Sequence, residues 1–286
     1  MINKSNQSVA ENHKLDLKLP VLMYHGIVDK FQGNSEVGQS PFFITTSQFQ
    51  SQMRYLHENG YRTLALSQLE ELLNNKSIYN DELMDKFIII TFDDGYQNNF
   101  IHAVPILKQF AFTATFFIIV SRIGTNNYLN WEQLKQMVNE GMEIQSHTLN
   151  HTPLETLSFP DIEKELRLSK EILENQLNNA VTIVSYPHGS YNRKIIELVK
   201  KAGYTGSCTS EIKFLNSKSN LFKIGRFDIR RDYDLEIFEK IVQKDPSFIR
   251  KMKLNKMMKQ LIQNSIGIKN YNKLYKKVRK IHRIQD

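Results

Sequence analysis

Phe87-Ile88-Ile89-Ile90-Thr91-Phe92-Asp93-Asp94-Gly95 (FIIITFDDG) sets an unbroken apolar and β-branched run directly against two adjacent acids and a glycine. The run has the length of a strand and shows no polar alternation. Such a strand is buried on both faces, as in a parallel sheet. Two neighbouring carboxylates at the end of a buried strand are costly unless a metal ion or another cation compensates them. One Asp can then bind a metal while the other acts as a base. The bland alternative is a turn, since Asp-Gly is a common turn pair.

Outward from this stretch, strands alternate with helices. Residues 114–120 (ATFFIIV) form a second continuous apolar run, and shorter strand-like runs fall at 21–24, 142–146, 183–186, 205–208 and 223–229. Between them lie helical patterns with start signals. Thr45 to Gln48 opens one that carries Phe49, Met53 and Leu56 and stops at Gly60; Ser67 and Glu70 have capping-box spacing before Leu72 and Leu73. Residues 101–110 suit a helix with Pro105 as a kink. Asn130 and Gln133 cap the next, up to Gly141. Ser158 and Pro160 begin one with an apolar face of Ile162, Leu166, Leu173 and Leu177, and Asn192 begins another that Gly203 closes. The rhythm predicts an α/β fold with a parallel sheet or barrel, whose chemistry sits at the C-terminal ends of the strands.

Two further motifs fall at such ends. Ser146-His147-Thr148-Leu149-Asn150-His151 carries two histidines four apart, which can meet one metal ion from a tight loop or helical turn. Ser185-Tyr186-Pro187-His188-Gly189-Ser190-Tyr191-Asn192 follows another strand; its Pro and Gly can present backbone N–H groups to an oxyanion, or form an ordinary turn before a helix.

Taken in order, the three motifs resemble the polysaccharide deacetylase family with a NodB-type domain (carbohydrate esterase family 4). TFDDG is similar to its first motif and SHTLNH to its histidine motif. The resemblance covers roughly residues 18–235 and implies a distorted, incomplete (β/α) barrel. It further implies removal of N-acetyl groups from an amino-sugar polysaccharide or oligosaccharide. Asp93 would be the general base, and Asp94, His147 and His151 would hold a divalent ion, usually Zn2+. Pro187, His188 and Gly189 would form the oxyanion turn, with the N–H of His188 facing the oxyanion, and Tyr191 would line the sugar groove. A set of two histidines and one aspartate leaves coordination open for water and substrate. The same resemblance leaves open deformylation, deacetylation of a lipid-linked sugar, or a catalytically inactive carbohydrate-binding relative.

The chain departs from the family pattern in two places. Many members carry an Arg two residues before the third-motif Pro, where this chain has Ser185. Many carry a late acid His, yet no His lies between His188 and His282. Leu22-Met23-Tyr24-His25-Gly26 instead resembles the YH motif of the subgroup that includes biofilm poly-N-acetylglucosamine deacetylases, which gives His25 the role of general acid. Arg226 or Asp228, in IGRFDIRRD, is a candidate to orient Asp93 or His25, with a plain surface salt bridge as the equal alternative. Trp131 is expected in the core rather than as a sugar platform.

The bulk properties bound the rest. The single cysteine, Cys208, excludes an internal disulfide and a Cys-rich zinc site. The net charge of +8 is uneven: residues 247–286 hold 12 Lys/Arg against one acid, and the remainder holds 26 against 29. The expected organisation is a polar tail over 1–17, the NodB-type domain over 18–245, and a basic amphipathic helical tail over 246–286 that either packs on the barrel or meets an anionic membrane surface. Charge alone admits nucleic acid, but no groove-reading motif supports it as a partner. No apolar run reaches the roughly 18 residues of a spanning helix, and residues 1–18 lack the apolar stretch of a signal peptide, so a cytoplasmic or membrane-peripheral location is expected.

Overall fold

The computed structural model describes residues 18–31, 40–69, 71 and 85–267. Eight parallel strands form the main sheet: β1 (Val21–Tyr24), β4 (Arg62–Thr63), β5 (Phe87–Phe92), β6 (Thr115–Ile118), β7 (Glu143–Ser146), β8 (Ile183–Ser185), β9 (Gly206–Cys208) and β10 (Phe227–Asp228). The order across the sheet is β10-β1-β5-β6-β7-β8-β9, with β4 beside the start of β5. First and last strands are therefore neighbours, and Leu22 pairs with Phe227. A lone parallel bridge between Cys208 and Ile224 brings the other edge towards the approach to β10. The sheet curls into an incomplete barrel. A separate ribbon pairs β2 (Ile27–Val28) with β3 (Ile44–Thr45).

Seven α-helices among the described residues follow the strands: α1 (Thr46–Glu58), α2 (Val104–Gln109), α3 (Trp131–Asn139), α4 (Phe159–Leu177), α5 (Arg193–Lys201), α6 (Leu235–Val242) and α7 (Pro246–Ile266). Their starts have a common cause, orphan N–H groups satisfied by a side chain. Thr45 and Gln48 form a reciprocal capping box on α1, and Asn130 and Gln133 form one on α3. Ser158 caps α4 with Pro160 in its first turn, and Asn192 caps α5. Trp131 packs half-buried against the core.

Three expectations are refined. The helix expected over 101–110 begins as a π-helical turn, Asn99–Ala103, and becomes α-helical at Val104, with Pro105 in its first turn. The strand expected over 223–229 is confined to β10, preceded by a 3-10 turn at Leu221–Lys223. Leu66–Gln68 is likewise a 3-10 turn; Glu70, Leu72 and Leu73 lie outside the described residues, as do 1–17 and 268–286.

Side-chain alternation divides the core in two. Leu22, Ile88, Ile90, Phe92 and Phe116 point to the helices. Val21, Phe87, Ile89, Phe117, Ile183 and Cys208 fill the barrel interior. Because the period along a strand is two, the interior set continues upward through Met23 on β1 and His25 just after it, Thr91 on β5 and Asp93 just after it, His147 after β7, and Ser185 on β8. The apolar plug at the bottom of the barrel thus gives way to a polar layer at its C-terminal mouth.

Candidate active site

That mouth opens into a cavity of about 750 Å³ lined by His25, Asp93, Asp94, His147, His151, His188 and Gly189, among others. Pro187 and Tyr191 are not among its lining residues. Pro187 is buried, while Tyr191 stacks on Tyr186 and donates to Glu211 Oε1 at 2.5 Å.

One ligand atom from each of Asp94, His147 and His151 lies within 4.8 Å of the others. Asp94 Oδ1 is 3.5 Å from His147 Nε2 and 3.6 Å from His151 Nε2. His147 Nδ1 is 2.9 Å from the Ser185 carbonyl oxygen. Donation from Nδ1 to that carbonyl fixes the tautomer and leaves the Nε2 lone pair towards Asp94, the arrangement metal-ligating histidines use. Burial, together with the nearby His147, holds the His151 imidazole well below its ordinary range, so at neutral pH it is the uncharged ligating form. Two imidazoles and one carboxylate, open to a cavity, fit a divalent ion.

The backbone is bent to reach this arrangement. Asp94, Thr148, His151 and His188 all have positive φ, between 57° and 76°. Non-glycine residues adopt this region at a cost, and such strain concentrates at functional sites. The loop after β7 is pinned at several points. Val120 N donates to Thr148 O and Ser121 N to Leu149 O. Glu165, from the buried side of α4, accepts from Asn150 N at 2.8 Å and Asn150 Nδ2 at 2.6 Å.

Asp93 sits beside the triad, its Oδ2 3.9 Å from His147 Nε2. Arg226 reaches it from the residue just before β10. Nη1 donates to Asp93 Oδ1 at 2.7 Å, and Nη2 donates to Asp93 Oδ2 at 2.8 Å and to Ser185 Oγ at 2.8 Å. Burial favours the protonated carboxyl, yet Arg226 and His147 outweigh it and keep Asp93 ionised, well below the usual carboxylate range. Arg226, 1% exposed, is thus a buried partner rather than a surface ion pair.

His25 lies across the cavity from strand β1, its ring stacked on Phe42 at 4.9 Å. Among the described residues its buried Nδ1 has no hydrogen-bond partner, and neither has Asp228 Oδ1 on the same cavity wall. Glu165 is the residue that the motifs did not reveal. Its signal is positional: it falls on the apolar stripe of α4, three after Ile162, where an acid is buried only with partners.

Comparison with known proteins shows what the chain is similar to. The family model for polysaccharide deacetylase matches residues 80–207. YxkH of Bacillus subtilis is 36% identical over 194 residues, which are 68% of this chain and 65% of that protein, so the match leaves about a third of YxkH uncovered. The poly-beta-1,6-N-acetyl-D-glucosamine N-deacetylase of Staphylococcus aureus is 27% identical over 262 residues, 87% of this chain and 86% of its own. The crystal structure of BC0361, a polysaccharide deacetylase from Bacillus cereus, is 30% identical and superimposes with a TM-score of 0.67 over 79% of this chain and 69% of that one. The chain belongs to the polysaccharide deacetylase family of hydrolases. Its fold is the incomplete NodB-type barrel of that family.

Proposed function

We propose that the protein removes N-acetyl groups from an amino-sugar polymer or oligomer, with a divalent ion, most simply Zn2+, held by Asp94, His147 and His151. The observation that carries this reading is the convergence of those three ligand atoms within 4.8 Å, with an ionised Asp93 beside them. Bound there, the ion would polarise the acetyl oxygen and make water more acidic.

The chain's own residues supply the rest. Asp93 takes a proton from the water as it attacks the acetyl carbon. Arg226 and Ser185 hold the carboxylate so that a lone pair faces the cavity. The N–H of His188 turns towards the oxygen that gains charge. As the C–N bond breaks, His25 gives a proton to the departing amine, and acetate and a free amino sugar leave. Pro187 and Gly189 shape the oxyanion turn, and Tyr191 borders the sugar path from outside the cavity. A poly-N-acetylglucosamine-like substrate is supported by the similarity to the staphylococcal enzyme over 86% of that enzyme's length.

The test is acetate release from N-acetylglucosamine oligomers, with and without a chelator, for wild type and Asp93→Asn. Release that stops with chelator and with Asp93→Asn supports the reading; no release from the metal-loaded wild type refutes it for this substrate class.

A further inference from the structure

Helix α7 changes character along its length: Phe248, Ile249 and Met252 pack its first turns on the core, while from Leu254 onward its apolar residues are exposed. Leu254, Met257, Met258 and Leu261 are 50–54% exposed and Ile262 is 39% exposed. Their spacing of i, i+3, i+4, i+7 and i+8 makes one continuous stripe. The opposite face, with Asn255, Lys256, Lys259, Gln260 and Gln263, turns inward and lines the catalytic cavity. Lys256 Nζ donates to the Ser210 carbonyl and anchors that orientation. From Leu254 onward the polar side of the helix therefore borders the cavity, and its apolar side faces outward. Exposed apolar surface of this extent marks a site of interaction.

The charge around the stripe identifies the occupant. The helix carries Arg250, Lys251, Lys253, Lys256 and Lys259 and no acid. Arg250 and Lys253 are exposed and flank the stripe, while Lys251 is exposed at the cavity rim. A second copy of the chain, docked face to face, would oppose these cations with its own. Residues 268–286, with seven Lys/Arg and one acid, would meet the same repulsion if they folded back. An anionic bilayer satisfies both halves: acyl chains accept the stripe and headgroups accept the cations. No helix among the described residues is long and apolar enough to cross a membrane, which leaves docking in the plane of the surface.

We propose that α7 lies in the interface of an anionic lipid bilayer, apolar stripe down. Because its other face lines the cleft, docking sets the catalytic mouth beside the lipid surface. This holds whatever substrate the cleft takes.

The experiment is co-sedimentation of the full chain with phosphatidylcholine vesicles, with and without a third of phosphatidylglycerol, at about 0.1 M salt. Wild type is compared with Leu254→Gln/Met258→Gln/Leu261→Gln. The three side chains are exposed, and an unchanged thermal melt confirms the fold of the variant. The proposal expects wild type to pellet at least about tenfold more with the anionic vesicles, and the variant to lose at least about tenfold of that binding. Wild type remaining in the supernatant overturns it. So does a variant that pellets like wild type, which would assign binding to tail charge alone. A dimer by light scattering that the variant dissolves, without vesicle binding, assigns the stripe to a second copy and also overturns it.

Discussion

Arg226 grips both carboxylate oxygens of Asp93, at 2.7 and 2.8 Å, from the opposite end of the chain's strand order. The pair is buried and its geometry is a planar fork that lysine cannot reproduce. Removing the guanidinium leaves an uncompensated charge in the barrel. Arg226→Met is expected to cost about 3–5 kcal/mol of stability, read by chemical denaturation. Arg226→Lys is expected to keep the fold but lower the rate of acetate release by at least about tenfold, since the carboxylate loses its fixed orientation.

Ser185 occupies the position where the family resemblance calls for an arginine, and Arg226 Nη2 donates to its hydroxyl. One guanidinium therefore serves Asp93, delivered from another strand. Ser185→Arg forces a second cation into filled space and is expected to destabilise by about 1–3 kcal/mol. Combined with Arg226→Ser, it is expected to regain part of both stability and activity. Equal losses in the single and double variants would show that the two positions do not share one role.

Glu165 holds the loop that carries His151 through two hydrogen bonds to Asn150. Glu165→Leu leaves every ligand in place yet frees that loop. Its expected effect is a roughly 10–100-fold weaker hold on zinc, measured by competition with a chromogenic chelator. An unchanged affinity would make Glu165 a packing residue only.

Much of this site is legible in the chain once strand parity is applied. Residues 87, 89, 91 and 93 share the interior face of β5, and 21, 23 and 25 share that of β1, so Asp93 and His25 are assigned to the barrel mouth by counting in twos. The histidine pair and the acid pair also stand out, because each directly follows a strand, the acids after an apolar run. The left-handed backbone of Asp94, His151 and His188 was not legible; in the loop of His151 it goes with hydrogen bonds from Val120 and Ser121 and to Glu165, all distant in sequence. Nor was the fork of Arg226, which depends on β10 returning beside β1, a pairing between residues some two hundred positions apart. The inverted polarity of the C-terminal half of α7 was hidden for a related reason. Its alternation of apolar and basic residues fits either orientation, and only the cavity shows which face turns inward.

Cys208 lies in the interior plug below the site, and burial pushes its thiol up to about 12. The thiolate is the reactive form. The native protein is therefore expected to show negligible reaction with a thiol reagent at mildly alkaline pH, and to react fully in denaturant. Rapid native labelling would mean that the plug opens far more readily than its packing implies.

Gly189 has φ of +70°, and a Cβ there would lie 2.1 Å from Ser210 Oγ and 2.9 Å from Ser210 N. Backbone strain and a backbone clash act together, so Gly189→Ala is expected to cost about 1–3 kcal/mol and to displace the His188 turn. Thermal melts and acetate release measured on the same sample check it: the variant should melt lower and lose activity beyond what unfolding explains.

The account rests on three side chains meeting one cation. Its most direct test is the metal content, after zinc reconstitution and gel filtration, of wild type, Asp94→Ala, His147→Ala and Asp93→Asn. Wild type should retain about one equivalent of zinc, and so should Asp93→Asn, while Asp94→Ala and His147→Ala should each lose it. Zinc retained equally by all four proteins, or by none, would contradict the site.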